Sequence, residues 1–178
     1  MSRVLLVTGG GRSGKSRYAL ERAARYPGRK VFVATAEPFD AETRARIAEH
    51  RRQRGPGFET IEEPRDLAGA IRRIGPGAGV AIIDCLTVWL GNLLHHHGEG
   101  AREFPELGAL VEALQRPPCD LIVVTNEVGM GIIPTDSAAS RAFRDQAGWL
   151  NQEVARAADE VVLVVCGIAV VIKKKNAE

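Results

Sequence analysis

The feature that most limits the fold is Gly9-Gly10-Gly11-Arg12-Ser13-Gly14-Lys15-Ser16, set directly after the apolar run Val4–Thr8. It fits the pattern GxxxxGK[ST], in which a strand ends in a glycine-rich loop and a helix begins at the lysine. The glycines let backbone N–H groups turn inward around a phosphate, and the helix N-terminus adds partial positive charge. In such a loop Lys15 bridges the β- and γ-phosphates of a nucleotide, and the Ser16 hydroxyl is a ligand for Mg²⁺.

Further short β-branched runs follow at Val31–Thr35, Val80–Asp84, Leu121–Thr125, Val161–Val165 and Ile168–Ile172. Several are apolar at every position, as strands are when helices cover both faces of a sheet. Helical segments lie between them. One runs from Gly14 through Tyr18, Leu20 and Ala23; a second starts at Asp40, a good N-cap with Glu42 in the first turn, and stops at Gly55-Pro56. Others cover Arg65–Ile74, Leu86–His96, Glu103–Gln115 and Asp136–Ala158. The alternation predicts an α/β fold of the P-loop NTPase type: a doubly wound, mainly parallel sheet with helices on both faces. The last two runs are split by Cys166-Gly167, which allows a hairpin and an antiparallel C-terminal edge strand. One nucleotide-binding domain is expected over residues 1–178.

Composition narrows the function. Lys and Arg number 24 against 22 Asp and Glu, a net charge of +2. That is too balanced for non-specific binding to nucleic acid through phosphates. The arginines are spread along the chain, which suits scattered recognition of phosphate or carboxylate. Cys85, Cys119 and Cys166 have neither an even count nor metal-ligand spacing, and read as buried, reduced thiols. The opening MSRVLLVTGG does not read as a signal peptide, and the longest apolar run, Val161–Ile172, has 12 residues where a span needs about 20. A cytoplasmic protein with no stable membrane insertion is expected.

Two acids end buried strands. Asp84 closes Val80-Ala81-Ile82-Ile83, where an unpaired carboxylate is costly unless it meets a cation or water; it is the expected second Mg²⁺ ligand. Glu127 follows Leu121–Thr125 at the same carboxyl edge, where ligands bind in α/β sheets. In the second helix Arg46, His50 and Arg54 form one i, i+4, i+8 row, with Arg51 beside them. Charge patterning alone makes this a solvated basic helix, although guanidiniums there would also hold phosphates against the imidazole. His95-His96-His97 ends a helix, where cations complement the dipole. Lys173–Lys175 reads as a solubilising end, and Trp89 and Trp149 as core or interface, with Leu86–Leu94 a candidate subunit contact.

Taken together, four segments resemble the bifunctional adenosylcobinamide kinase/adenosylcobinamide-phosphate guanylyltransferases of cobalamin biosynthesis. Thr8–Ser16 is similar to the TGGxRSGKS signature. Ala34-Thr35-Ala36 with Arg46–Arg51 is similar to the AT(A/S)…RIxxHr segment. Thr125–Pro134 is similar to TNEVGxGIVP, and Arg144-Asp145, Gly148, Asn151-Gln152 and Ala158–Val161 are similar to RDxxGxxNQxxAxxADEV. The likeness runs in order from residue 3 to about residue 173. It implies that His50 is the residue guanylylated by GTP. It further implies a nucleotide held by Gly9, Gly10, Gly11, Arg12, Ser13, Gly14, Lys15 and Ser16, by Thr35, Ala36 and Glu37, by Arg51, Arg52, Gln53 and Arg54, and by Glu62 and Asp84. The implied activity is phosphorylation of the aminopropanol hydroxyl of adenosylcobinamide by ATP or GTP. Transfer of GMP to the resulting phosphate follows, giving adenosyl-GDP-cobinamide and pyrophosphate, with catalytic His50 and Lys15 and Mg²⁺ on Ser16 and Asp84. A homo-oligomer, a trimer, is implied as well. On the loop and strands alone, a P-loop small-molecule kinase without guanylyl transfer remains the alternative.

Overall fold

The apolar runs become the inner strands of one sheet in the computed structural model, which describes residues 2–98, 104–131 and 137–175. The strands are β1 (Val4–Thr8), β2 (Arg29–Ala34), β3 (Glu59–Glu62), β4 (Ala78–Asp84), β5 (Asp120–Val124), β6 (Glu160–Val165) and β7 (Ile168–Lys174). The helices are α1 (Lys15–Ala24), α2 (Ala41–Arg54), α3 (Leu67–Ile74), α4 (Leu86–His97), α5 (Pro105–Gln115) and α6 (Ala138–Ala157). Strand order is β3-β2-β4-β5-β1-β6-β7. Every pairing is parallel except β6 with β7, so the hairpin at Cys166-Gly167 is present and its antiparallel strand forms one edge.

Side chains alternate between two cores, as the two-residue strand period requires. On one face Leu6, Val31, Val33, Ile83, Leu121 and Val123 pack under α3, α4, α5 and α6. On the other, Leu5, Val7, Val80, Ile82, Ile122 and Val124 pack against Ala19 and Ala23 of α1. Burial on both sides explains why these strands are apolar at every position. Helix α2 differs: among the described residues it places no side chain in either core.

Several expectations need correcting. β3 was not anticipated, because Glu59-Thr60-Ile61-Glu62 is short and three of its four residues are polar. Such a strand is tolerable only at an edge, where it lies. Trp89 is no interface residue: it is 0% exposed, and its Nε1–H donates to the Arg65 carbonyl at 2.6 Å. Trp149, by contrast, is 60% exposed. Cys85 and Cys119 are buried, but Cys166 is exposed in the β6–β7 turn at φ 52°. Lys173 is not merely solubilising, since its ammonium donates to the carbonyls of Ala155, Arg156 and Ala158 at the end of α6. The expected helix starts at Glu103 and Asp136 lie outside the described residues. Among the described residues, no helix is long and apolar enough to cross a membrane.

Replacing Trp89 by Ala should lower the unfolding free energy by roughly 3–5 kcal/mol, read from the urea midpoint, because a fully enclosed indole leaves a cavity. Trp149→Ala should change it by less than about 0.5 kcal/mol.

Candidate active site

The glycine-rich loop has the backbone geometry its sequence demands. Gly9 has φ 146°, and a Cβ there would run into the Val164 carbonyl oxygen of β6, so no other residue fits. Gly14 is the N-cap of α1 at φ 99°, and Arg12 sits between them at φ 56°. Gly10 and Gly11 face open space, leaving room for a ligand to approach the backbone. The loop is pinned from beneath by the β6–β7 turn, where the Gly167 amide donates to the Ser13 carbonyl at 2.9 Å. Lys15 is 6% exposed, and its ammonium donates to the Gly10 carbonyl at 2.6 Å. Burial lowers its pKa, opposed by the nearby Cys85 and Asp84. The hydroxyls of Thr8 and Ser13 are buried at the loop with no hydrogen-bond partner among the described residues.

Across the edge, Asp84 closes β4 as predicted, and the Ser16 hydroxyl donates to its Oδ2 at 2.9 Å. Burial raises the carboxyl above its usual range, while the Ser16 bond and then His50, Lys15 and Arg54 act in the opposite direction. The Cys85 thiol beside it is pushed up to about 12, chiefly by burial, and is inert as a nucleophile. Hydroxyl and carboxylate so placed form a hard-oxygen pair of the kind Mg²⁺ takes together with nucleotide phosphates, so the residues fit the ion. Among the described residues no cluster of three or more His, Cys, Asp or Glu suits a metal, so phosphate oxygens and water would complete the coordination shell.

Helix α2 begins at Asp40, whose side chain accepts from the Thr43 amide at 2.6 Å, as its sequence predicts. Its C-terminal end meets the sheet on the strands next to β4, with Arg54 against Phe32 of β2 and Arg51 paired to Glu62 at the end of β3; His50 and Arg54 both act to lower the Asp84 pKa. His50 is exposed. The crowding of cations expected around it is relieved by ion pairs, Arg51 with Glu62 and Arg52 with Glu49. The Arg54 guanidinium stacks over the Phe32 ring, 4.1 Å from its centroid. Thus Arg51, Arg54 and Glu62 gather on the β3–β2 side of the sheet, with His50 one turn before Arg54 on α2. The side chains of Arg46 and Gln53 lie outside the described residues.

Of the predicted stretch at the end of β2, Ala36 and Glu37 are half-buried in the loop before α2. Thr35 behaves differently. It is 0% exposed, and its hydroxyl both accepts from the Cys85 amide and donates to the Cys85 carbonyl, each at 2.9 Å. That side chain is fully occupied in holding the Asp84–Cys85 turn. Asn92 escaped the sequence reading. Buried in α4, its Nδ2 donates to the Thr35 carbonyl at 2.7 Å and to the Pro64 carbonyl at 3.0 Å, tying the loops after β2 and β3. A lone Asn within the apolar stretch Leu90–Leu94 was the available signal. His97 bonds Glu106 at 2.8 Å and His96 meets Arg65 at 3.4 Å, so the histidine run serves local contacts at the end of α4.

A sequence profile described as cobinamide kinase / cobinamide phosphate guanyltransferase matches residues 5–172. The chain is 41% identical over 173 residues to the bifunctional adenosylcobalamin biosynthesis protein CobP of Pseudomonas aeruginosa, covering 94% of this chain and 96% of that one. It is also 41% identical over 183 residues to the bifunctional adenosylcobalamin biosynthesis protein CobU of Escherichia coli K12, covering 96% and 99%. Among solved structures, the assembled ATPase EscN of the enteropathogenic E. coli type III secretion system superposes with a TM-score of 0.53 at 13% identity. That match covers 93% of this chain but only 43% of the ATPase, and it speaks to the fold alone. The phosphate loop, the β4 carboxylate and near-complete alignment with the bifunctional proteins place this chain in the cobinamide kinase / cobinamide phosphate guanyltransferase family.

Proposed function

We propose that one site at the carboxyl edge performs both reactions named for this family, a phosphoryl transfer to adenosylcobinamide and a guanylyl transfer to its phosphate. The observation that carries the proposal is convergence on Asp84. The Ser16 hydroxyl bonds it from the phosphate loop, Arg54 of α2 stacks on Phe32 of the adjoining β2, and the carboxyl lies within the electrostatic influence of His50, Lys15 and Arg54. A kinase alone has no use for the two from α2.

In the first reaction the aminopropanol hydroxyl attacks the γ-phosphorus of ATP or GTP. The backbone amides of Gly9–Gly14 hold the phosphates, and the Lys15 ammonium meets charge that grows on the transferred group. Mg²⁺, held by Ser16 and Asp84, would supply further neutralisation of phosphate charge. In the second reaction a ring nitrogen of His50 attacks the α-phosphorus of GTP, and the bond to pyrophosphate breaks. An oxygen of adenosylcobinamide phosphate then attacks the same phosphorus, the P–N bond breaks, and GMP passes to the corrinoid. A phosphoramidate is labile enough for this relay, which suits imidazole better than a hydroxyl nucleophile. Arg51, Arg52 and Arg54 at the end of α2 are proposed to steady the nucleotide phosphates, with Glu62 setting Arg51 in place. The substrates proposed are therefore ATP, GTP, adenosylcobinamide and its phosphate, and a homotrimer is proposed by family likeness.

Incubation with GTP carrying label on either the α- or the γ-phosphate, followed by denaturation, tests this reading. We expect acid-labile, alkali-stable α-label on the wild-type chain, reduced more than about 100-fold in His50→Ala. Phosphorylation of adenosylcobinamide by ATP should stay within about threefold of wild type in that variant. Absence of α-label from a folded, GTP-binding wild type would reduce the protein to a kinase.

A further inference from the structure

We infer that Glu127 is the proton acceptor for the substrate hydroxyl in the kinase reaction, an assignment that rests on the reading above. Sheet order is the first reason. β5 lies between β4, which carries Asp84, and β1, which carries the phosphate loop. Val124 of β5 is level with Asp84 on one side and with Val7 on the other. The chain leaving β5 therefore emerges between the carboxylate and the loop. Its Thr125 amide donates to the Val7 carbonyl at 3.0 Å, and its Glu127 amide donates to the Gly9 carbonyl at 2.9 Å. Glu127 is thus joined by its backbone to the first glycine of the phosphate loop.

The second reason is the polar scaffold beneath it. The Thr125 hydroxyl donates to Asn151 Oδ1 at 2.8 Å, and Asn151 Nδ2 donates to the Asn126 carbonyl at 3.1 Å. The Asn126 amide donates to the Thr87 hydroxyl at 2.8 Å, and that hydroxyl lies 3.3 Å from the Thr125 hydroxyl. Thr125 and Asn151 are 1% and 8% exposed. A polar network placed in a core of valines and leucines costs desolvation and adds little packing. What it does is fix residues 125–127 from both α4 and α6.

The third reason is the division of labour among carboxylates. Asp84 is committed to Ser16 and the cation site, Glu62 to Arg51, and Glu63 to Arg73. Glu127 is half-buried, and among the described residues its carboxylate makes no hydrogen bond or ion pair. Among the described residues Glu37, in the loop after β2, likewise has no such partner, but Glu127 is the one of the two bonded through its backbone to the phosphate loop. The step balances without any further reagent. The hydroxyl oxygen bonds to the γ-phosphorus, and the bond from that phosphorus to the β–γ bridging oxygen breaks. The bridging oxygen leaves on the nucleoside diphosphate, while the hydroxyl proton passes to a Glu127 carboxylate oxygen and later to water. Nothing in the guanylyl relay calls on this group, because its acceptor is an ionised phosphate.

The test compares Glu127→Gln and Glu127→Asp with wild type in two assays, ATP-dependent phosphorylation of adenosylcobinamide and α-labelling by GTP. We expect Glu127→Gln to lower kinase kcat by about 100-fold or more, the range of general-base catalysis, with the KM for ATP within about threefold. Glu127→Asp should recover part of that loss, and α-labelling should stay near wild type in both, which also reports that both variants fold. Unchanged kinase kcat in Glu127→Gln, or parallel loss of labelling and kinase turnover, would overturn the assignment. A rise in KM that accounts for the loss would also overturn it, making Glu127 a positioning residue for the loop. Wild type that labels with GTP but never phosphorylates adenosylcobinamide would overturn the kinase reading itself, and Glu127 with it.

Discussion

The hydrogen bond from the Ser16 hydroxyl to the Asp84 carboxylate joins the two halves of the site, and the surrounding structure serves to keep that bond in place. A carboxyl raised above its usual range by burial is a group the fold holds at a cost. That cost is met locally by one hydroxyl and by three basic side chains, Lys15, His50 and Arg54, from two different elements. Such an arrangement costs stability, and shifted carboxyls of this kind cluster at functional sites.

Buried polar contacts join the two apolar cores in holding the turn that carries this carboxylate. Thr35 and Asn92 bind the ends of β2 and β4 and the segment after β3 into one unit. Thr125, Asn151 and Thr87 do the same for the chain leaving β5. Helix α2 is built on the opposite principle. Among the described residues it meets the sheet through the exposed Arg51–Glu62 ion pair, of small individual worth, a hydrogen bond from Arg54 to the Thr60 hydroxyl, and the stack of Arg54 over Phe32.

Much of this was legible in the sequence, for identifiable reasons. Runs such as Val80–Ile83 and Leu121–Val124 reveal themselves because burial on both faces removes every polar position. Gly9 reveals itself because only glycine fits against β6, and Asp40 because its side chain caps the helix it precedes. The role of Thr35 was hidden: a threonine in a nucleotide-binding stretch reads as a ligand, yet its hydroxyl is wholly taken by the Cys85 backbone. Trp89 was ambiguous because an indole on an apolar helix looks the same in a core and in an interface until its neighbours are known. β3 was invisible because an edge strand needs few apolar residues, and Asn92 because its partners are backbone carbonyls from distant segments.

Thermal melting of Asp84→Asn, with and without GTP and Mg²⁺, separates a cation ligand from a structural carboxylate. A raised carboxyl pKa in the folded state means that ionisation costs stability once pH exceeds it, so removing the charge should not weaken the free protein. Asp84→Asn, without nucleotide at pH 7, should melt at or above the wild-type temperature. The rise that wild type gains from GTP with Mg²⁺, over GTP with a chelator, should be lost in the variant. A variant that melts lower on its own yet keeps the full Mg²⁺-dependent rise would show that Asp84 stabilises the fold and does not hold the cation.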